Sequence, residues 1–243
     1  MCIVEGDFIY QYLINEMTGE YDMLSVLRQT DRGVIYLMRH RRTGTSHVLL
    51  SHIGTDDVYR QLMYISCPYL PRVEEVAVRD DHVLVLEDYV PGDNLAERLE
   101  VSLPTRREVL KIVRQLCHAL WAIHAFGAVH RDVKPDNIIL SGSDAILIDF
   151  DASRITKTDR TADTQILGTT GYAAPEQFGI GQTDARTDIY SLGVLLNVML
   201  TGQHPSVCKA DGFLGYIVQR CTMINPADRF QDTAALLRAL PPF

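Results

Sequence analysis

The sequence predicts an α+β protein: a small N-terminal lobe built on an antiparallel β-sheet, followed by a mainly helical C-terminal lobe. Two patterns carry this expectation. Up to residue 89 the apolar residues come in short runs separated by polar turns, as strands require. Beyond Pro91-Gly92 they recur at three-and-four spacing, as the buried stripe of a helix requires.

Taken in order, Leu24, Val26 and then Val34–Met38 read as two strands joined by a polar turn. Thr43-Gly44 marks the next turn, and Ser46–Leu50 reads as a third strand. Tyr59–Ile65 reads as a short helix before Pro68. Val76–Val78 and Val83–Leu86 bracket a turn at Asp80-Asp81. Thr105 with Glu108 has the form of a capping box, in which each residue satisfies a free N–H at a helix start. Val109, Ile112, Val113, Leu116, Leu120 and Ile123 then form one buried helical face. Ile138–Leu140 and Ala145–Ile148 are short strands around a Ser-Gly-Ser-Asp turn, and helices are expected over Ile189–Leu200 and Thr233–Leu240. The implied organisation is an extension over 1–20, an N-lobe over 21–89 and a C-lobe over 90–243.

The 243 residues carry a formal net charge of -8, which argues against non-specific binding to nucleic acid or to an anionic membrane. The five cysteines have no CxxC spacing and an odd count, so buried thiols in a reducing compartment are expected. Glu5 and Asp7 disfavour a signal peptide. Ile189–Cys208 lacks Asp, Glu, Lys and Arg, but Asn197, Gln203, His204 and Pro205 make it a buried helix ending near Gly202. A cytoplasmic protein with no membrane segment in this chain is the expectation.

The chemistry concentrates in His130-Arg131-Asp132-Val133-Lys134-Pro135-Asp136-Asn137. Phosphoryl transfer needs a carboxylate for the attacking hydroxyl's proton, a cation near the migrating group and oxygen ligands for magnesium. Asp132, Lys134 and Asn137 supply one of each within six residues. Asp149-Phe150-Asp151 follows at the end of an apolar strand, where a carboxylate is placed to hold metal.

This segment, with DFD, GTTGYAAPE (Gly168–Glu176), DIYSLG (Asp188–Gly193) and Arg229 in the same order, resembles the eukaryotic-like (Hanks-type) Ser/Thr protein kinase family over about residues 21–240. The wording Gly-Tyr-Ala-Ala-Pro-Glu-Gln-Phe is similar to bacterial members. The resemblance implies ATP as phosphoryl donor with magnesium, or manganese in its place. Asp132 would be the base, Lys134 would steady the phosphoryl group, and Asn137 and Asp149 would bind metal. Thr169 would join the catalytic set as in the Ser/Thr branch. Glu176 would pair with Arg229, and Asp188 would anchor the catalytic loop. Arg131 resembles kinases whose activation segment is ordered by phosphorylation, with Thr156, Thr158, Thr161, Thr164 and Thr170 as acceptors.

The N-terminal lobe departs from that pattern. Of the glycine-rich loop only Gly33 remains, with Arg28 and Thr30 at the other glycine positions. Leu50 stands where the strand lysine belongs, and the first lysine of the chain is Lys111. Val58 occupies the position of the partner glutamate. The loss of both has a physical logic, because either charge alone would be buried without compensation. Asp151 replaces a glycine, which Asp can do by adopting left-handed geometry. Ile35, Val48 and Ile139 align with the residues that sandwich adenine, Glu87 with the gatekeeper, and Asp88 beside it joins the nucleotide-binding set.

Three readings follow: an active kinase using Arg28 or Arg32 as substitute cations, a pseudokinase serving as scaffold or switch, and a small-molecule kinase. Retention of the activation segment and Ala-Pro-Glu counts against the third. The survival of Asp132, Lys134, Asn137, Asp149 and Thr169 favours the first. Arg28 and Arg32 are otherwise solvated loop charge, as Arg39, Arg41 and Arg42 are beside Thr43-Gly44. The expected partner is a protein substrate or a protein bound to the scaffold. The apolar residues Phe8, Ile9, Tyr10, Tyr12 and Leu13 suggest docking of the extension onto the N-lobe or a dimer contact.

Overall fold

The structure, a computed structural model, describes residues 11, 13–15, 19–156, 171–179 and 181–242. The chain divides into two compact units. Unit 1 comprises Met1–Ser66 with Pro71–Val90, and unit 2 comprises Cys67–Leu70 with Pro91–Phe243.

Unit 1 is a five-stranded antiparallel sheet in the order β1-β2-β3-β5-β4, from β1 (Tyr21–Thr30), β2 (Gly33–His40), β3 (Ser46–Ile53), β4 (Val73–Arg79) and β5 (His82–Asp88). The inner strands β3 and β5 are nearly continuous buried runs, because both of their faces are covered. One face carries a core of Leu13, Met38, Leu49, Ala77, Leu84 and Leu86, flanked by Tyr21 and Tyr36. Leu13, which lies in the expected extension, is part of this core. The other face carries Leu50, Val85 and Val76, in register across three strands. The helix α1 (Asp57–Leu62) buries Val58, Tyr59 and Leu62.

Strand β1 behaves differently from the apolar strand expected there. Met23, Leu24, Val26 and Leu27 are all exposed. It is the sheet edge, and register shifts at Met23/Ser25 and Val26/Arg28 interrupt its pairing with β2. Such irregularities break the alternation that would otherwise turn one face inward.

Unit 2 holds β6 (Asp93–Asn94), β8 (Ile138–Ser141) and β9 (Asp144–Leu147) in one small sheet, and β7 (Ala128–Val129) with β10 (Arg154–Ile155) in another. Its helices are α2 (Leu95–Val101), α3 (Arg106–His124), α4 (Ala185–Thr201), α5 (Gly212–Cys221) and α6 (Thr233–Ala239). The capping box forms as expected: Glu108 N–H donates to Thr105 Oγ1, and Thr105 N–H to Glu108 Oε2 at 2.7 Å. The apolar α4 begins at an Asp184 cap and ends at Gly202. No described helix is long and apolar enough to cross a membrane.

Cys117 and Cys221 are buried thiols, and burial pushes the Cys117 thiol up to about 12. Cys208 corrects the expectation, because it is exposed on the loop after α4.

Candidate active site

The candidate catalytic loop runs from His130 to the 3-10 turn Pro135–Asn137, between β7 and β8. Its backbone is held from beneath by Asp188, a fully buried carboxylate in the first turn of α4. Asp188 Oδ2 accepts the His130 N–H at 2.8 Å, and Oδ1 accepts the Arg131 N–H at 2.7 Å. His124, at the end of α3, meets the same carboxylate at 2.8 Å. Arg131 takes a left-handed φ of 70°, which a non-glycine residue adopts only when its surroundings impose it. Gln177 donates to the Arg131 carbonyl at 2.8 Å and completes the restraint.

On this frame Asp132, Lys134 and Asn137 converge. Lys134 Nζ lies 2.7 Å from Asp132 Oδ2. Asn137 Nδ2 donates to Asp132 O and Oδ2, both at 2.9 Å. The side-chain nitrogen is therefore committed to Asp132, and Oδ1 is the end of the amide that could be offered to a cation. The Ile148 N–H donates to Asn137 O at 2.9 Å, tying the loop to the strand that delivers Asp149.

Asp149 itself has a left-handed φ of 67°, whereas Asp151 is absent from the positive-φ residues. This corrects the expectation for Asp151: the strained position is two residues earlier, so replacing the family's glycine needs no special geometry. Asp149 Oδ1 accepts the Asp151 N–H at 3.3 Å. Phe150 is buried, with its ring 5.1 Å from that of His130. The His130 ring is neutral on two grounds. Burial pushes its pKa down against the pull of Asp188, Asp149 and Asp132, and its Nδ1 accepts the Asp132 N–H.

The expected pair of Glu176 and Arg229 forms a two-bonded buried bridge, at 2.7 Å and 2.9 Å. Thr169, Thr158, Thr161, Thr164 and Thr170 lie outside the described residues. Thr156 is described, and its hydroxyl donates to Gly127 O at 2.9 Å, which gives it a structural task. Ile139 lies on β8, half-buried.

The remaining residues expected from the sequence to contact nucleotide belong to unit 1. Ile35 on β2 and Val48 on β3 are half-buried and buried, respectively. Arg28 and Arg32 are exposed at the β1–β2 hairpin, whose turn is the two residues Asp31 and Arg32. Gly33 is explained by packing: a Cβ there would stand 2.3 Å from Ser51 O on β3. Leu50 and Val58 are each only 3% exposed. The two positions at which the sequence alignment expects a lysine and a glutamate thus hold core residues. Gatekeeper-position Glu87 is buried at 6% exposure.

His124 and Gln177 were not singled out from the sequence. Each acts through a contact distant along the chain, and no local spacing signals it.

The protein kinase domain family matches residues 57–230. Strands β1 to β3, where most departures lie, precede that stretch. The serine/threonine-protein kinase pkn2 of Myxococcus xanthus is 28% identical over 208 residues, 78% of this chain and 25% of that protein. The putative serine/threonine-protein kinase YPL150W of Saccharomyces cerevisiae is 33% identical over 80% of this chain and 22% of its own length. PknB of Mycobacterium leprae is 34% identical over 64% of this chain and 26% of its own length. The chain thus spans about a quarter of the length of these relatives. With the ordered motifs and the loop geometry, the matches show that the chain belongs to the eukaryotic-like (Hanks-type) Ser/Thr protein kinase family.

Proposed function

We propose that this chain transfers the γ-phosphoryl group of ATP to a Ser or Thr hydroxyl of a protein. The observation that carries the reading is the convergence of Lys134 and Asn137 on Asp132, in a loop pinned by Asp188. In the proposed step the substrate oxygen bonds to the γ-phosphorus while the bond to the β–γ bridging oxygen breaks, and ADP leaves. Asp132 takes the hydroxyl proton. Lys134, beside it, places positive charge where the migrating group passes. Asn137 and Asp149 would hold magnesium, which neutralises phosphate charge when bound.

A second reading is supported by unit 1. Leu50 and Val58 fill the core where a lysine and a glutamate would act, and Gly33 serves strand packing. A protein scaffold or switch without phosphoryl transfer is consistent with both.

Thermal unfolding with increasing ATP, with and without magnesium, separates the two. A ligand at about 100 times its dissociation constant stabilises by roughly 2.7 kcal/mol. Each kcal/mol moves the Tm of a protein this size by about 2–4 °C. The kinase reading expects a magnesium-dependent shift that Asp149→Asn removes, together with phosphate incorporation into protein that Asp132→Asn abolishes. No shift at millimolar ATP overturns it in favour of the scaffold.

A further inference from the structure

Unit 1 gathers a nitrogen and two carboxylates from three strands, and none of them belongs to the phosphoryl-transfer motif. His47 on β3 is the register partner of Asp88 on β5. On the far side of β5, β4 pairs Val73 with Glu87 and Glu75 with Leu86. Two successive β5 residues thus face two β4 residues that are not successive, and Glu74 is the extra residue of a bulge. A bulge re-aims the side chain it carries, and here Glu74 joins His47 and Asp88. One ligand atom from each residue lies within 4.8 Å of the others.

Two further observations set this cluster apart from an ordinary surface ion pair. His47 is 7% exposed, yet its Nδ1 has no hydrogen-bond partner. Its Nε2 stands 3.4 Å from Glu74 Oε2, long for a hydrogen bond. Buried polar groups are nearly always satisfied, and the nitrogen that faces the carboxylates, Nε2, has among the described residues only this long contact. The second observation is charge: among the described residues neither Glu74 nor Asp88 forms an ion pair with Lys or Arg. The Tyr21 ring meets the imidazole edge-on, with centroids 5.5 Å apart, and fixes its plane.

We propose that His47, Glu74 and Asp88 form a site for a divalent transition ion of the zinc class. Ligand atoms around a tetrahedral ion with bonds of about 2.0–2.1 Å stand about 3.4 Å apart, which is the spacing already present between His47 and Glu74. One imidazole nitrogen with two carboxylate oxygens suits zinc and its neighbours, whereas magnesium prefers oxygen alone. A cation there would take Nε2 as its ligand in place of the long contact to Glu74, and would offset two like charges. It also ties β3, β4 and β5 together at the strand ends just before the boundary of unit 1 at Val90. The Asp88 side chain is then committed to the metal, so any nucleotide contact by this residue falls to its backbone.

The test is titration of the 243-residue chain with cobalt(II), followed by visible absorption and by displacement with zinc. One equivalent of cobalt with tetrahedral d–d bands is expected, together with a rise in Tm. Glu74→Gln and Asp88→Asn, both at partly exposed residues, each weaken binding by about tenfold or more. Asp149→Asn leaves it unchanged, which separates this site from the proposed magnesium ligands and from the kinase reading. The proposal is overturned by the absence of d–d bands at millimolar cobalt or by binding indifferent to both carboxylate variants. Loss of binding in Asp149→Asn, or a thiolate-to-cobalt band from a cysteine such as exposed Cys208, overturns it equally.

Discussion

Asp188 accepts the backbone N–H of Arg131 at 2.7 Å, and Arg131 is one of three described non-glycine residues with positive φ. The two facts belong together. A left-handed arginine is unfavourable on its own, and the charge-assisted bond to a fully buried carboxylate offsets that cost. Asp188→Asn removes one of the acceptor functions serving the His130 and Arg131 N–H groups and brings in an NH2 group that must find its own partner. A loss of about 1.5–3 kcal/mol is expected. Amide hydrogen exchange at residues 130 and 131 should accelerate more than exchange in α3 or α5. Uniform acceleration across unit 2 would show that Asp188 supports only global stability.

The Glu176–Arg229 bridge supports a second prediction. Arg229 is about 1% exposed and also donates to the carbonyls of Met223, Arg186 and Ile224. Arg229→Met leaves Glu176 buried without its cation, with Thr187 alone among the described residues still donating to it. The expected loss is about 3–5 kcal/mol, readable as a lower urea midpoint. The double variant Arg229→Met with Glu176→Leu should recover part of it, because the unpaired charge is gone. No recovery would mean that the carbonyl bonds of Arg229, and not the ion pair, hold this region.

Much of the fold was legible because the signals were local. The box at Thr105 and Glu108, the Gly202 stop and the strands around Asp144 each depend on neighbours in sequence. Helix α5 escaped although Leu214, Ile217, Val218 and Cys221 keep three-and-four spacing, since Gly212 and Gly215 read as breakers. The two-residue strands β7 and β10 carry too few residues for any period, and their pairing is set by tertiary contact. At the candidate site the motif residues were legible as an ordered set. The left-handed turn was assigned to Asp151 because glycine is the usual residue there; the structure places it at Asp149. The roles of His124 and Gln177 follow from a carboxylate and a carbonyl far away in the chain, which no spacing rule reaches.

Leu50 and Val58 permit a test of the paired loss. Leu50→Lys alone places an ammonium on a strand face in register with Val85 and Val76. A destabilisation of about 3–5 kcal/mol is expected for an uncompensated buried charge. Adding Val58→Glu should return part of that loss if the two positions face one another as in the family. A double variant no more stable than the sum of the single ones would show that unit 1 has repacked beyond the family arrangement. Urea unfolding of the four proteins of this cycle gives the coupling energy directly.

His130 makes stability depend on pH in a definite direction. Burial pushes its pKa below the ordinary value of 6.5, so the folded chain keeps the ring neutral while the unfolded chain begins to protonate it. Below about 6.5 the unfolded state therefore binds more protons, and stability rises with pH through that window. The contribution is complete above the unfolded value. It is lost as the pH falls towards the folded one, at up to about 1.4 kcal/mol per pH unit for one proton. Urea midpoints between pH 7.5 and 5.5 should fall more steeply for the natural chain than for His130→Phe, which cannot titrate at this position. Equal slopes would mean that the ring takes up protons alike in the folded and unfolded chain, so that burial does not lower its pKa.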